Sequence, residues 1–260
     1  MSDICLRDLE LAGIRWEISD TPIMAPRTQS APKNPEKPQR QTAATIVAEI
    51  GRAAAAVVPA TPPQQTMSIE TVKAMAARPT DMATLNRMIG EFNHPLRAGA
   101  TNTVPIHIAK NPNGMIIITD MPSADDDASG NILSGAAGEM MDKMLNAIGM
   151  SRDTVSILPM IFWRTPGGRT PSRDEIDLAR PFVNRAIELL KPRVILTLGT
   201  LPATEIAGIN LGRAHGVATQ IENGITVMPI YHPNYLILKP AAKRDVWNAL
   251  QNVQNLLKNA

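Results

Sequence analysis

Cysteine is almost absent from this chain, since Cys5 is the single cysteine among its 260 residues. One thiol cannot form an intrachain disulfide, and it cannot supply the several ligands of a structural zinc or iron–sulfur site. The sequence therefore excludes a cluster or metal held by cysteines, and we expect neither a metal nor a cofactor.

Long apolar runs and a strong charge imbalance are also missing. Hydrophobic residues make up 44% of the chain, but no run approaches the roughly 20 residues that a membrane span needs. The N-terminus has no basic region followed by an apolar one, so we expect no secretory signal, no membrane association and a cytoplasmic location. The formal net charge of +2 neither favours nor excludes nucleic acid as a partner.

The N-terminal quarter differs in composition from the rest. Apolar residues at helical spacing predict a short amphipathic helix within residues 1–20. Residues 21–66 are rich in proline and alanine and contain no aromatic residue. Such a segment buries too little apolar area to offset its conformational entropy, so we predict a disordered linker. Helix and linker together could tether a protein partner.

Residues 67–260 alternate between two patterns. Short apolar runs predict strands buried on both faces at Met115–Thr119, Val155–Phe162, Val194–Leu198 and Thr226–Ile230. Capping signals and helical spacing predict helices near Ser68–Ala77, after a cap at Thr80, and at Gly138–Ile148, Ser172–Leu190, Pro202–Ala207 and Ala242–Lys258. This alternation predicts an α/β fold with three α/β/α layers around a central, mainly parallel four-stranded sheet.

Polar side chains follow the first and last of these strands, where parallel sheets bind ligands. Asp120 directly follows the first strand, and a carboxylate there can orient or activate a water. His232 follows the fourth strand and faces the same crevice if the two strands are neighbours. The alternatives are a hydrogen-bonded structural histidine, and solvated or helix-capping roles for the acids of Asp125–Asp127.

Basic side chains fall into two groups. The turn-rich segment after the second strand carries Arg164, Arg169 and Arg173. A second group, Lys239, Lys243 and Arg244, precedes the final helix. Each group could contact phosphates or simply face solvent.

Several segments match the motifs of one family in consistent order from about Phe92 to Asn259. They are Thr119-Asp-Met-Pro-Ser-Ala-Asp-Asp-Asp127, Gly130-Asn-Ile-Leu-Ser-Gly135, Arg180-Pro-Phe182, Lys191-Pro-Arg-Val-Ile195, Leu198-Gly199, Tyr231-His-Pro-Asn-Tyr-Leu236 and Pro240-Ala-Ala-Lys-Arg244. Together they resemble the family 4 uracil-DNA glycosylases, the iron–sulfur branch of that superfamily.

The resemblance implies a mechanism. Family members flip a uracil out of DNA and hydrolyse its glycosidic bond. By position, Asp120 would orient the water, and His232 would stabilise charge on the departing base. The substrate pocket would comprise Met121, Pro122, Ser123, Asp126, Leu133 and Pro159. The DNA would contact Arg164, Arg169, Pro233, Asn234, Tyr235 and Lys239, with the loop His232–Leu236 pressing on the minor groove.

The chain also departs from the family. Three cluster cysteines correspond to His94, Trp163 and Ala179, so the cluster must be absent, and Trp163 and Ala179 would fill its space with apolar packing. The asparagine that reads the uracil edge corresponds to Pro159, and losing such hydrogen-bond readout can remove discrimination of about 10⁴–10⁵. Leu133 replaces the phenylalanine on which uracil stacks, and the Asp120 side chain is one methylene shorter than the family glutamate.

These departures leave more than one function open. The first is a divergent uracil-DNA glycosylase that acts in DNA repair through Asp120 and His232. The second is a catalytically impaired homologue that binds DNA or a protein partner. A third is a different small-molecule enzyme on the same scaffold.

Overall fold

The computed structural model describes residues 67–221 and 223–258. The helix predicted within residues 1–20, the linker predicted at 21–66 and Cys5 lie outside the described residues. The domain boundaries at residues 20 and 66 therefore stay predictions. Within the described part, a mainly parallel sheet is covered by helices on both faces, which confirms the predicted α/β fold.

The sheet has the strand order β2-β1-β3-β5-β4. Its strands are β1 (Met115–Thr119), β2 (Ser156–Pro159), β3 (Val194–Leu198), β4 (Thr219–Gln220) and β5 (Thr226–Ile230). The first four in this order are parallel neighbours, whereas β4 pairs antiparallel with β5. The prediction of four strands was therefore wrong by one. Two residues are too few to show the alternation that marks a strand in a sequence.

Helices connect the strands and complete the two outer layers. They are α1 (Ile69–Ala76), α2 (Met82–Glu91), α3 (Ala124–Ser129), α4 (Gly135–Ala147), α5 (Arg173–Leu190), α6 (Thr200–Ala207), α7 (Leu211–Ala214), α8 (Pro233–Leu238) and α9 (Lys243–Lys258). Short 3-10 turns lie at Pro95–Gly99, Pro166–Gly168 and Pro240–Ala242.

Local signals set most of these boundaries. The capping box of Ser172 and Glu175 is present at the start of α5, as predicted. The cap of α2 is Asp81 rather than the predicted Thr80, because the longer acidic side chain accepts the backbone N–H of Thr84 at 2.8 Å. β2 ends at Pro159, short of the predicted Phe162, and the Met160 N–H that follows is shared between the carbonyl oxygens of Thr119 and Asp120, where β1 also ends.

Alternate strand residues face two separate apolar layers. Ile116 and Ile195 pack against α1, α2 and α5 on one face. Ile117 and Leu196 pack against α4 and α9 on the other face. With both faces covered, the carboxyl ends of the strands are where the polar residues that follow β1 and β5 emerge and where parallel sheets bind ligands.

Candidate active site

One cavity of about 430 Å³ lies beyond the carboxyl ends of the strands. Its lining includes most of the predicted pocket residues: Asp120, Met121, Pro122, Ser123, Asp126, Leu133, Arg164, His232 and Asn234, with Ala124, Ala137 and Gly168. Pro159, Arg169, Pro233, Tyr235 and Lys239 do not line it. Asp120 and His232 reach this cavity although β3 lies between their strands. This is possible because β3 is followed by Gly199, which has no side chain.

The Asp120 carboxyl group packs directly on Gly199. A Cβ at that glycine would lie 2.7 Å from Oδ2, and the glycine has φ +95°, so both space and backbone conformation favour glycine there. Oδ1 is buried and has no hydrogen-bond partner in the described part of the chain. Burial raises the pKa of Asp120 to about 7, although the nearby Leu201 backbone N–H opposes the rise. A carboxyl group with this pKa can both accept and release a proton near neutral pH.

The hydrogen bonds of His232 define which ring nitrogen carries its proton. Nδ1 lies 3.2 Å from the Asn234 backbone N–H, which donates to it at the start of α8. Nδ1 is therefore unprotonated, and Nε2 carries the hydrogen toward Thr119 Oγ1 at 3.1 Å. Burial lowers the pKa of His232 to about 4, against an opposing effect of Asp126. The ring is thus a neutral hydrogen-bond donor at physiological pH.

The segment predicted as the loop His232–Leu236 is instead the start of α8, capped by the histidine itself. Sequence patterns do not indicate this cap, because histidine is an uncommon capping residue. The consequence is a rigid placement for both the imidazole and Asn234.

The acids after Asp120 have capping and bracing roles. Asp126 Oδ2 accepts the Ser123 N–H at 3.0 Å, and its Oδ1 accepts the Ser134 N–H at 2.5 Å. Asp127 Oδ1 accepts the Thr101 N–H at 2.9 Å. The helix-capping alternative therefore describes Asp126, whose oxygens are already occupied although it borders the cavity.

Leu133 is held in an unusual backbone conformation at the cavity wall. Its φ is +50°, a region that costs a non-glycine residue free energy unless the surroundings enforce it. Arg152 Nη2 donates to its carbonyl oxygen at 2.6 Å. A Cβ at Gly138 would lie 1.8 Å from the same oxygen. No sequence signal connects Arg152 with Leu133, and this bracing was missed.

The three arginines after β2 have different surroundings. Arg169 forms a forked ion pair with Glu175, with N–O distances of 2.5 and 2.8 Å. This contact holds the pKa of Glu175 down at about 2. Arg173 pairs with Asp177 and Glu205. Arg164 borders the cavity and, within residues 67–221 and 223–258, forms no salt bridge.

The positions that match cluster cysteines lie together in the core. His94, Trp163 and Ala179 are all buried, and the predicted apolar filling requires this of Trp163 and Ala179. The His94 and Trp163 rings stack with centroids 4.6 Å apart and planes at 10°. Their N–H groups have partners, because His94 Nε2 lies 3.0 Å from the Glu175 carbonyl and Trp163 Nε1 donates to Thr103. These side chains do not fit an iron–sulfur cluster, and the described residues contain no group of three or more metal-ligating side chains.

The fold and the site define a class, namely α/β proteins with an acid and a neutral imidazole at the open edge of a parallel sheet. Comparison with known families identifies the group within that class. Residues 105–251 match the Uracil DNA glycosylase superfamily, and the chain belongs to it.

Individual relatives agree with this membership. A type-4 uracil-DNA glycosylase of Pyrobaculum aerophilum is 30% identical over 179 residues, which cover 64% of this chain and 89% of the relative. The type-4 uracil-DNA glycosylase of Archaeoglobus fulgidus is 26% identical over 165 residues, which cover 60% of this chain and 82% of the relative. The type-4 uracil-DNA glycosylase of Thermotoga maritima is 25% identical over 194 residues, which cover 73% of this chain and 92% of the relative. No helix in the described ranges is long and apolar enough to cross a membrane.

Proposed function

We propose that this protein is a divergent uracil-DNA glycosylase-like hydrolase that removes a damaged base, uracil in the first instance, from DNA during repair. The observation that carries the proposal is the common cavity of Asp120 and His232, one a carboxyl with pKa near 7 and the other a neutral donor. Membership of the superfamily and the names of the relatives support it.

The reaction is a hydrolysis that needs an extrahelical base, because the glycosidic bond is shielded within the stack. The ionised Asp120 orients a water and accepts its proton as the water oxygen bonds to C1′. The C1′–N bond breaks, and its electron pair leaves with the base. A base oxygen that approaches the held ring accepts the Nε2–H that contacts Thr119 in the structure, and His232 thereby stabilises the negative charge that develops on that oxygen.

Water has its own route to Asp120. A second cavity of about 390 Å³ borders the same carboxyl group from the side of α6, with Thr170, Thr200 and Thr204 among its lining residues. A base in the first cavity therefore leaves the second open to solvent. The buried Oδ1 of Asp120 has no donor among the described residues, and a water that enters from this side can donate to it.

Asn234 takes over base recognition in this proposal. Pro159, at the matching family position, has no donor and is absent from the cavity lining. Asn234 borders the cavity from the first turn of α8, and its side-chain amide can donate and accept at once. Arg164, Pro233, Tyr235 and Lys239 contact the DNA, whereas Arg169 is engaged by Glu175.

A second candidate function is a catalytically impaired homologue that binds DNA or a protein partner, with residues 1–66 as a tether. Two features favour it. Leu133 lacks the aromatic face whose stacking is worth about 1–3 kcal/mol per base. The second feature is the Asp120 side chain, which is one methylene shorter than the family glutamate, since a displacement of a catalytic group by about 1 Å can lower the rate on the order of 10²-fold.

A cleavage assay separates the two functions. Single- and double-stranded oligonucleotides with one uracil are incubated with the full chain and with D120A and H232A, and abasic sites are measured by alkaline cleavage. D174N is the matched control, since Asp174 is an exposed acid away from the cavity. Abasic sites from wild type and D174N, but not from D120A, support the hydrolase. Retained, salt-sensitive DNA binding without abasic sites refutes it and supports the second candidate.

A further inference from the structure

Three aromatic rings lie in successive contact next to Asn234, which lines the cavity. His215, at the end of α7, lies 4.0 Å from Tyr231 between ring centroids, with planes at 29°. Tyr231, which follows β5, lies 4.7 Å from Tyr235 of α8, with planes at 38°. The Tyr231–Tyr235 spacing is that of aromatic pairs that attract each other, and the His215 and Tyr231 rings are stacked in closer contact. We call these three residues the ring stack.

The ring stack runs from the interior to the surface. His215 and Tyr231 are half-buried, and Nε2 of His215 is buried without a partner among the described residues. Burial lowers the pKa of His215, so the innermost ring is neutral at physiological pH. Tyr235 is 37% exposed and is the outermost ring. The two inner rings therefore fix the orientation of an outer ring that is open to a ligand.

One lysine lies over the outer ring, and further basic residues are close to the ring stack in the sequence. Lys239 Nζ lies over Tyr235, 5.5 Å from its centroid, and Lys239, Lys243 and Arg244 are all exposed. Arg213, also exposed, precedes His215 by two residues. The negative charge of Asp245 acts on His215, at the inner end of the ring stack, where it opposes the lowering of the His215 pKa. Positive charge beside an exposed ring matches a ligand that has both phosphates and aromatic faces.

The ring stack is also continuous with the proposed active site. Asn234 borders the cavity, and Tyr235 is the next residue of the same helical turn. A strand with its damaged base in the cavity can therefore place its neighbouring nucleotide over this part of α8. In a duplex, base faces are covered by the adjacent pairs, whereas a single strand presents them to a protein ring.

We propose that the ring stack is a base-stacking platform for single-stranded DNA. The nucleobase next to the nucleotide in the cavity stacks on Tyr235, and Lys239 moves from the ring to the adjoining phosphate. Tyr231 and His215 act through Tyr235, which they hold in place, and are positioning residues. This inference rests on the proposed function only in taking the cavity as the DNA-facing side.

Equilibrium binding tests the platform without any need for catalysis. The probe is a fluorescein-labelled thymidine oligomer without uracil, and the dissociation constant of the full chain is measured by anisotropy between about 50 and 200 mM salt. Y235L keeps apolar bulk but removes the ring, and Y235F is the matched control that keeps it. A stacked base is worth about 1–3 kcal/mol, so Y235L should bind about 5- to 150-fold more weakly and Y235F like wild type.

Three comparisons separate stacking from charge. Y235L should leave the salt slope unchanged, whereas K239Q should lower it by about 0.7, the value for one single-strand phosphate. An oligomer with an abasic spacer throughout should bind wild type as weakly as the thymidine oligomer binds Y235L. Y231L should weaken binding less than Y235L, and Y231F should not weaken it.

Several results would overturn the platform. They are no binding of the thymidine oligomer, equal binding by Y235L and Y235F, equal binding of the abasic oligomer, or tighter binding of a duplex of the same sequence. Uracil excision is measured separately on the same preparations. If binding depends on the Tyr235 ring but no uracil is excised, the platform is retained and the hydrolase is rejected. If uracil is excised but binding does not depend on the Tyr235 ring, the hydrolase is retained and the platform is rejected.

Discussion

The buried carboxyl of Asp120 should make this protein less stable as the pH rises. Its pKa of about 7 lies above the ordinary value of 3.8. The folded state therefore holds this proton more tightly than the unfolded state does. The stabilisation of the folded state by this tighter proton binding is fully present below pH 3.8. It is lost as the pH rises through about 7. At about 1.36 kcal/mol per pH unit, the loss amounts to about 4 kcal/mol, which is a large share of a typical domain stability.

The D120N variant, which cannot ionise, isolates this effect. Urea unfolding of wild type and D120N is measured from about pH 4 to pH 8.5, and the difference in free energy of unfolding is plotted against pH. Other titrating groups cancel in this difference. D120N should gain about 4 kcal/mol relative to wild type over that range while losing uracil excision. Parallel curves for the two proteins would show that Asp120 is not buried as an acid, and the reasoning from its pKa to catalysis would fail.

Other residues of the site give further predictions. G199A should lower the free energy of unfolding by at least about 2 kcal/mol and the rate of excision on the order of 10²-fold, since the new Cβ displaces the Asp120 carboxyl. In a D120A background the same substitution should cost less stability, and an equal cost in both backgrounds would refute the contact between Gly199 and Asp120. Nitrogen NMR should find His232 neutral and protonated at Nε2 down to about pH 4, and a protonated Nδ1 at neutral pH would contradict the assignment. L133F should tighten uracil binding by about 5- to 150-fold, because the new ring can stack on the base. Circular dichroism checks that the variant stays folded, since residue 133 has a positive φ, and unchanged binding by a folded variant would refute the prediction. N234A should reduce discrimination between uracil and thymine, and unchanged selectivity would remove its proposed reading role.

Local patterns predict much of this fold. The continuous apolar run predicts β1 with the bounds that the structure has, and the Ser172 capping box predicts the start of α5. Both signals depend on residues within a few positions of each other. The two-residue strand β4 carries no such pattern, and its pairing with β5 forms only in the assembled sheet.

The candidate site is predictable to the same limited extent. Strand-end position nominates Asp120 and His232 because parallel strands open at one edge of the sheet. The placement of Gly199 beneath the carboxyl, and of Arg152 on the Leu133 carbonyl, depends on contacts between distant parts of the chain. Single-sequence patterns contain no information about such contacts, and they are the contacts that set the pKa of Asp120 and the conformation of the cavity wall.

The departures from the family differ in whether the fold compensates for them. At the cluster positions the compensation is complete, because His94 and Trp163 stack in the core and each ring N–H finds an oxygen. A core that is filled and hydrogen-bonded in this way no longer needs a cluster to join its segments. The base-reading position is different, because Pro159 is buried in the sheet and leaves the cavity without its matching amide. Asn234 restores an amide to that cavity from another element, so recognition would approach the base from the side of α8 rather than β2. In the proposed hydrolase, such a site would keep Asp120 and His232 but change the edge of the base that is read, and base preference is therefore the property in which we expect this protein to differ most from its relatives.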